Sequence, residues 1–462
     1  RGTGVGSRVT DWALSGHLWG TEELRRVFDE EPHIQAWLDI LVELARAQAD
    51  LGIVPKDAAG AIAADAKVDR IDLDFVAEET RRTGHSTLGL IHGLQRMLPP
   101  EAAEWVYYGA TVQDLTDTWT ALAMKKVGAV AWRDLRAIER CCLDLAVRHR
   151  DSVMAGRTHG QPGAPITFGL KAAGWADEVR RHLDRLRDGA PRWLVGQLGD
   201  AVGTLAFFGD RGLELREAFC RRVGLADPGI SWLTSRDRLS EFVGLLAMIA
   251  STLARIGTEV YELQRPEIGE LREPTSPGAV GSITMPHKRN PEASEHLVTL
   301  SRLVRAQAGV ILEGMVQEHE RDGRGWKAEW VAFPEACLLT GAALSFALRI
   351  LAGLEVDEEA MGRNRDAARG YLASERVLAR LAPALGKHRA QALLQEVLMA
   401  VREEGGSLEA ALAASQEIAE HLGRDEVHEL MARPDPGAAG AMVDLVVRRA
   451  EEARAGETDE WP

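Results

Sequence analysis

Two stretches of this chain keep a helical beat long enough to dictate an architecture. Leu246, Ile249, Leu253, Ile256, Val260 and Leu263 advance by threes and fours, as do Leu297, Leu300, Val304, Ala308, Ile311 and Met315. Only an α-helix gathers such positions onto one face. A seam held for three turns or more predicts long helices packed nearly side by side in a bundle. Strand signals are scarce, and further helical runs are expected near 115–148, 165–188 and 336–353. The small Ala308 on the seam suits packing against a second copy, so a homo-oligomer is expected.

The expected fold class is all-α, in three helical units. Residues 1–110 form a small N-terminal unit of shorter helices, with turn material at GIVPKD and MLPPE. Residues 111–355 form the long central bundle, and 356–462 a small C-terminal unit broken at EEGGS and RPDPGAAG. At 462 residues, 45% of them hydrophobic, the chain can build a core of that size. The net charge of −15 argues against nucleic acid and against an anionic membrane surface as partners. No apolar run is expected to be long enough to span a bilayer. The opening RGTGVGS lacks an initiator Met and reads as a trimmed end, not a signal peptide. Four cysteines without metal or redox spacing fit a reducing cytoplasm. No zinc-type or phosphate-cradling motif occurs, so no metal and no organic cofactor is expected.

Four stretches could carry chemistry. In GSITMPHKRNPEASEHL (281–297), Asn290 is a plausible N-cap, Pro291 suits the first helical position and Glu292 favours the positive helix end. Backbone N–H groups there, with Lys288 beside them, would suit a carboxylate. Ser282 lies on Gly-flanked backbone that could close as a lid. The plainer reading is a solvated basic turn. AGRTHGQPGAPITFG (155–169) reads as a loop-like, Gly- and Pro-rich approach to a helix, offering the Thr158 hydroxyl and the His159 imidazole. In YYGATVQDLTDTW (107–119), Thr111, Gln113 and Asp114 precede a helix and could simply cap it. ETRRTGHSTLG (79–89) adds His85.

Together these stretches carry a resemblance. GSITMPHKRNP resembles the signature loop of the fumarase/aspartase superfamily, usually Gly-Ser-Ser-x-Met-Pro-x-Lys-x-Asn, with Ile283 in place of the second Ser. GRTHGQ resembles the Gly-Arg-Thr-His-Gly-Gln motif of adenylosuccinate lyases. GATVQD is similar to the Gly-x-Thr-Ser-x-Asp region, with Val112 for Ser, and TGHS to a Thr-x-His-Asp motif, with Ser86 for Asp. Tyr107 stands where adenylosuccinate lyases carry a His. The similarity covers nearly the whole chain and points to the branch holding adenylosuccinate lyase and 3-carboxy-cis,cis-muconate cycloisomerase. The N-terminal GHLWGTEELRRVF and QEHERDGRGWKAEW resemble the cycloisomerase; His159 does not, since bacterial cycloisomerases place Trp there.

The resemblance implies a base, Ser282, that takes a proton beside a carboxylate, and His159 as general acid or charge stabiliser for the leaving group. Thr158, Lys288 and Asn290 would hold a carboxylate, with Thr111, Gln113 and His85 as further substrate contacts. The implied reaction is β-elimination from a β-substituted succinate (amino-, nitro- or N-substituted), releasing fumarate and a small leaving group. The implied assembly is a homotetramer with composite sites and a small dicarboxylate as substrate. Two alternatives stand: the cycloisomerase, and a non-catalytic structural homologue, against which Ser282, His159, Lys288 and Asn290 together count.

Overall fold

A computed structural model describes residues 7–275, 278, 280, 283–285, 287–368 and 370–461. Its frame is a set of long helices: α1 (Glu30–Asp50), α2 (Val112–Arg148), α3 (Phe168–Trp193), α4 (Asp237–Gln264), α5 (Glu292–Glu313), α6 (Gly323–Ala352) and α7 (Ala439–Ala455). The 21-residue α1 is longer than the short helices expected before residue 110. Helix α4 packs along α5 and α6, and α2 along α3 and α6. The seams account for this. All six α4 positions from Leu246 to Leu263 are buried, as are Leu297, Leu300, Val304, Ala308 and Ile311 on α5. Burying each large aliphatic side chain contributes roughly 1.5–3 kcal/mol, so the seam alone outweighs any local propensity. Met315 is the exception. It lies past the end of α5 and is 41% exposed.

Two expectations need correction. By length and apolarity α4 and α6 could each cross a membrane, contrary to the expectation of no such run. In the fold they are bundle helices, with 72% and 61% of the apolar window buried against neighbours. Second, the loop expected at 155–169 is an antiparallel hairpin, β1 (Val153–Thr158) and β2 (Gln161–Thr167), with a bulge between Gly156 and Arg157. Its two-residue turn, His159–Gly160, has φ of 54° and 74°. Positive φ at both central residues is the turn geometry that matches the twist of the strands, and Gly supplies half of it without strain. A shorter pair, β3 (Leu271–Arg272) and β4 (Glu355–Val356), ties the end of α4 to the end of α6.

Residues 356–462 are not one packing unit. Val377, Leu381, Leu394, Leu412, Ile418 and Val427 belong to a separate small core. Helix α7 instead returns to the bundle and packs on α3 and α2. The tail beyond it is tied down: Trp461 donates its indole N–H to the Leu186 carbonyl (3.1 Å), and Trp132 donates to Thr458 (3.3 Å).

Candidate active site

The mouth of α2 is built by a reciprocal cap. The Asp114 carboxylate accepts the Thr111 backbone N–H (2.9 Å), and the Thr111 hydroxyl accepts in return. Asp114 also accepts the Gly199 N–H (2.8 Å). Burial pushes its carboxyl up to about 8, against the pull of those amides. The cap is thus real, but it does not use up the Thr111 oxygen. Arg321, from the loop between α5 and α6, donates to Thr111 Oγ1 (2.6 Å) and to Gln113 Oε1 (3.1 Å). Gln113 lies inside the first turn, buried, and donates to the Leu233 carbonyl (2.9 Å). Behind it the buried Arg236 forks onto Asp117 (2.9 and 3.0 Å) and pairs with Glu329 (2.9 Å). Tyr107, at φ 62°, sits beside this cluster, its phenol pushed well up by burial and then by the Asp114 charge. Thr111, Gln113 and Arg321 therefore form one rigid polar cluster, with a half-buried guanidinium at its outer edge.

Thr158 and His159 stand at the exposed tip of the β1–β2 hairpin. The hairpin's base is pinned, because Arg157 forks onto the fully buried Glu270 (2.8 and 2.9 Å), which also accepts from Asn364 (2.8 Å). Two groups are thus presented on a fixed arm, and among the described residues neither side chain has a hydrogen bond or ion pair to the bundle.

Lys288 and Asn290 line an open cavity of about 980 Å³ with the ends of α4 and α6. Five lining side chains are basic (Arg265, Arg272, Lys288, Arg289, Arg349) against three acidic, an inversion of the chain's overall charge. One acid, Glu273, is already committed. It accepts from the N–H groups of Ala293 (3.1 Å) and Ser294 (3.0 Å) and from the Ser294 hydroxyl (2.9 Å). The N-cap is Pro291, not Asn290, and helix α5 begins at Glu292. Those two helix-start amides are occupied by the chain's own carboxylate, so anion binding here falls to side chains. Ser282 lies outside the described residues.

His85 has a local duty. Its Nδ1 accepts the backbone N–H of Leu88 (3.2 Å) and of Thr87 (3.4 Å), which leaves Nε2 to carry the proton. Among the described residues no hydrogen bond joins it to Thr111, Thr158 or Lys288. Nor, among them, do His, Cys, Asp or Glu side chains gather in threes to hold a metal ion.

The structure brings the expected residues together in two groups, not one. Gln113 bonds to Leu233, just before α4 begins, whereas Gln264 ends α4 at the Lys288 cavity. With 28 residues in α4, the two groups are separated by about 42 Å at 1.5 Å per residue. The hairpin lies at the Lys288 end, since Arg157 holds Glu270 there. Arg321 was not among the expected site residues. The one signal for it was the QEHERD stretch, whose partners lie some 210 residues away.

Comparison with known proteins places the chain in a family. The sequence model of the lyase family matches residues 20–306, and that of the adenylosuccinate lyase C-terminus matches 370–450. The chain is 40% identical to the N-acetyl-S-(2-succino)cysteine lyase of Dickeya dadantii, over 97% of this chain and 98% of that one. It is 36% identical to the adenylosuccinate lyase of Methanocaldococcus jannaschii, covering 94% of each. Among solved structures, the 3-carboxy-cis,cis-muconate lactonizing enzyme of Pseudomonas putida superposes with a TM-score of 0.86 at 33% identity, covering 94% of this chain and 98% of that one. A helical bundle of this form, the motif stretches and matches over nearly the full length leave one assignment: the chain belongs to the lyase family of the fumarase/aspartase superfamily.

Proposed function

We propose that this lyase splits the C–S bond of a 2-thiosuccinate of the N-acetyl-S-(2-succino)cysteine kind, releasing fumarate and the thiol. The observation that carries the reading is the 40% identity, end to end, to an enzyme named for that substrate. A net-basic cavity in an acidic chain, with Lys288 and Asn290 on its wall, supports a polycarboxylate ligand. In the proposed step Ser282 takes a proton from the CH₂ beside one carboxylate. The C–H electrons form the C=C bond, and the C–S pair leaves on sulfur. The intermediate charge spreads into the carboxylate, where Lys288, Asn290 and Thr158 stabilise it electrostatically. A thiol with a pKa of about 8.5 departs as thiolate or takes a proton from His159. An alkoxide base needs a closed, dry site.

One active centre needs both groups of residues, and a small dicarboxylate cannot bridge about 42 Å, so each site is shared between copies. We assign a homotetramer. Met248, Leu303, Val310, Leu312, Trp330 and Val331, exposed along the central helices, supply apolar surface for such contacts.

The test is fumarate release from a panel: N-acetyl-S-(2-succino)cysteine, aspartate, nitrosuccinate and adenylosuccinate, with carboxymuconate scored for lactone. The thioether should lead by at least about tenfold in kcat/KM, a gap of about 1.4 kcal/mol in transition-state binding. Preference for a C–N substrate or for carboxymuconate would overturn it. Loss of turnover in an assembled Ser282→Ala variant would separate an enzyme from an idle homologue.

A further inference from the structure

A substrate of the proposed kind carries three carboxylates: two on the succinyl half and one on the departing cysteine. Lys288 with Asn290, and the Thr111–Gln113–Arg321 cluster of another copy, suffice for the first two. The third is left for a further cation, and the Lys288 cavity is where the structure offers basic side chains beyond Lys288.

Of the basic residues lining that cavity, Arg265 already faces Glu262 (3.2 Å). Arg272, Arg289 and Arg349 have no such partner among the described residues, and of these three Arg349 is set apart by what holds it. Among the described residues no carboxylate lies within ion-pair distance of its guanidinium, and it is exposed to the cavity. It is nonetheless held in place. Its guanidinium carbon lies 4.6 Å from the Phe346 ring centre, one turn earlier on α6. Phe346 packs edge-on against His296 (4.8 Å), and His296 packs against Trp19 (5.0 Å). The stack is locked because His296 donates Nε2–H to the Leu18 carbonyl (2.7 Å). A cation fixed by a rigid aromatic column and left without a counter-ion is a preorganised anion receptor.

We propose that Arg349 is a specificity residue that receives the carboxylate of the departing thiol. The inference rests on the thioether reading above and adds to it the part of the substrate that is recognised. The plainer role for a cation in the last turn of α6 is to offset the helix dipole. That role affects stability and is blind to the leaving group.

The experiment compares two thioethers of succinate that differ only in the third carboxylate: the adduct of N-acetylcysteine and that of N-acetylcysteamine. Wild type, Arg349→Gln and Arg349→Lys are assayed on both, with assembly checked by light scattering. A charge-assisted hydrogen bond to carboxylate is worth about ten- to a hundredfold in affinity. Arg349→Gln should raise KM for the N-acetylcysteine adduct by that factor with little change in kcat. On the N-acetylcysteamine adduct it should move neither, and Arg349→Lys should recover part of the loss. Equal effects on the two adducts, or none on either, would overturn the assignment. Failure of the wild type on both adducts would refute the thioether reading itself, and the role of Arg349 would fall with it.

Discussion

If each active centre takes its Thr111–Gln113–Arg321 group from one copy and its Lys288 group from another, two inactive variants must rescue each other. Arg321→Gln removes the guanidinium that reaches Thr111 and Gln113 while leaving both in place. Lys288→Met removes the cation at the other end, on an exposed turn where the fold is little affected. Each alone should lose at least about a hundredfold in kcat/KM, the scale of removing one preorganised donor. Unfolded together at equal amounts and refolded, the two chains assort at random. A site then draws an intact Arg321 end about half the time and an intact Lys288 end about half the time, so about a quarter of the sites are whole. The ~42 Å span of α4 is what makes the two draws independent. Fumarate release by absorbance should therefore return to about a quarter of the wild-type rate, far above either variant alone. A mixture no more active than its parts would show that the two groups do not complete one centre shared between copies.

Arg236→Met should destabilise the fold by about 3–5 kcal/mol at neutral pH, because Asp117 and Glu329 are left buried without their cation. Glu329 is already pushed up by burial, so it would gain a proton on folding. The deficit, read from denaturant unfolding, should shrink as pH falls and would contradict this account if it grew. His33, stacked flat on Trp119 (3.6 Å between centres), is held by burial down to about 4. A lowered folded pKa means stability lost as pH falls from about 6.5 toward 4, by about 2–3 kcal/mol at most. His33→Phe keeps the stack and should flatten thermal stability across that window; an unchanged slope would remove the claim. His159→Asn should cost the thioether reaction less than about a hundredfold, since a thiolate needs little help to leave. An amine-leaving substrate should suffer more, and equal losses would show that the imidazole is not the acid.

The bundle was legible because burial has the period of the helix. Leu253 and Val304 are where they are for one physical reason, and that reason is written in their spacing. The hairpin was not legible for the opposite reason. Gly156, Gly163, Pro162 and Pro165 are the residues of loops, and here they lie in strands of a hairpin whose Arg157 is anchored to Glu270, 113 residues away. Thr111, Thr158, His159, Lys288 and Asn290 could be picked out as motifs, but not placed. Their separation depends on the length and direction of α4, which no local pattern encodes.

The start of α5 sharpens the point. Local rules make Asn290 the cap and leave the helix amides free for an anion. In the fold Glu273 arrives from beyond α4, twenty residues before Ala293, and takes two of those amides and the Ser294 hydroxyl. A carboxylate already seated at the helix end also cancels much of the positive field there. Recognition of an anion at this end must then come from Lys288, Asn290 and the uncommitted arginines, all side chains that reach into the cavity from different elements. Such a set reads the number and spacing of carboxylates, which a helix terminus, offering one place for one anion, could not do. On the thioether reading proposed above, the capping glutamate thereby favours a polycarboxylate over a single anion. The relatives named above range from a succinocysteine lyase to a muconate lactonizing enzyme, and cavity side chains, unlike a helix terminus, can change from one such relative to the next.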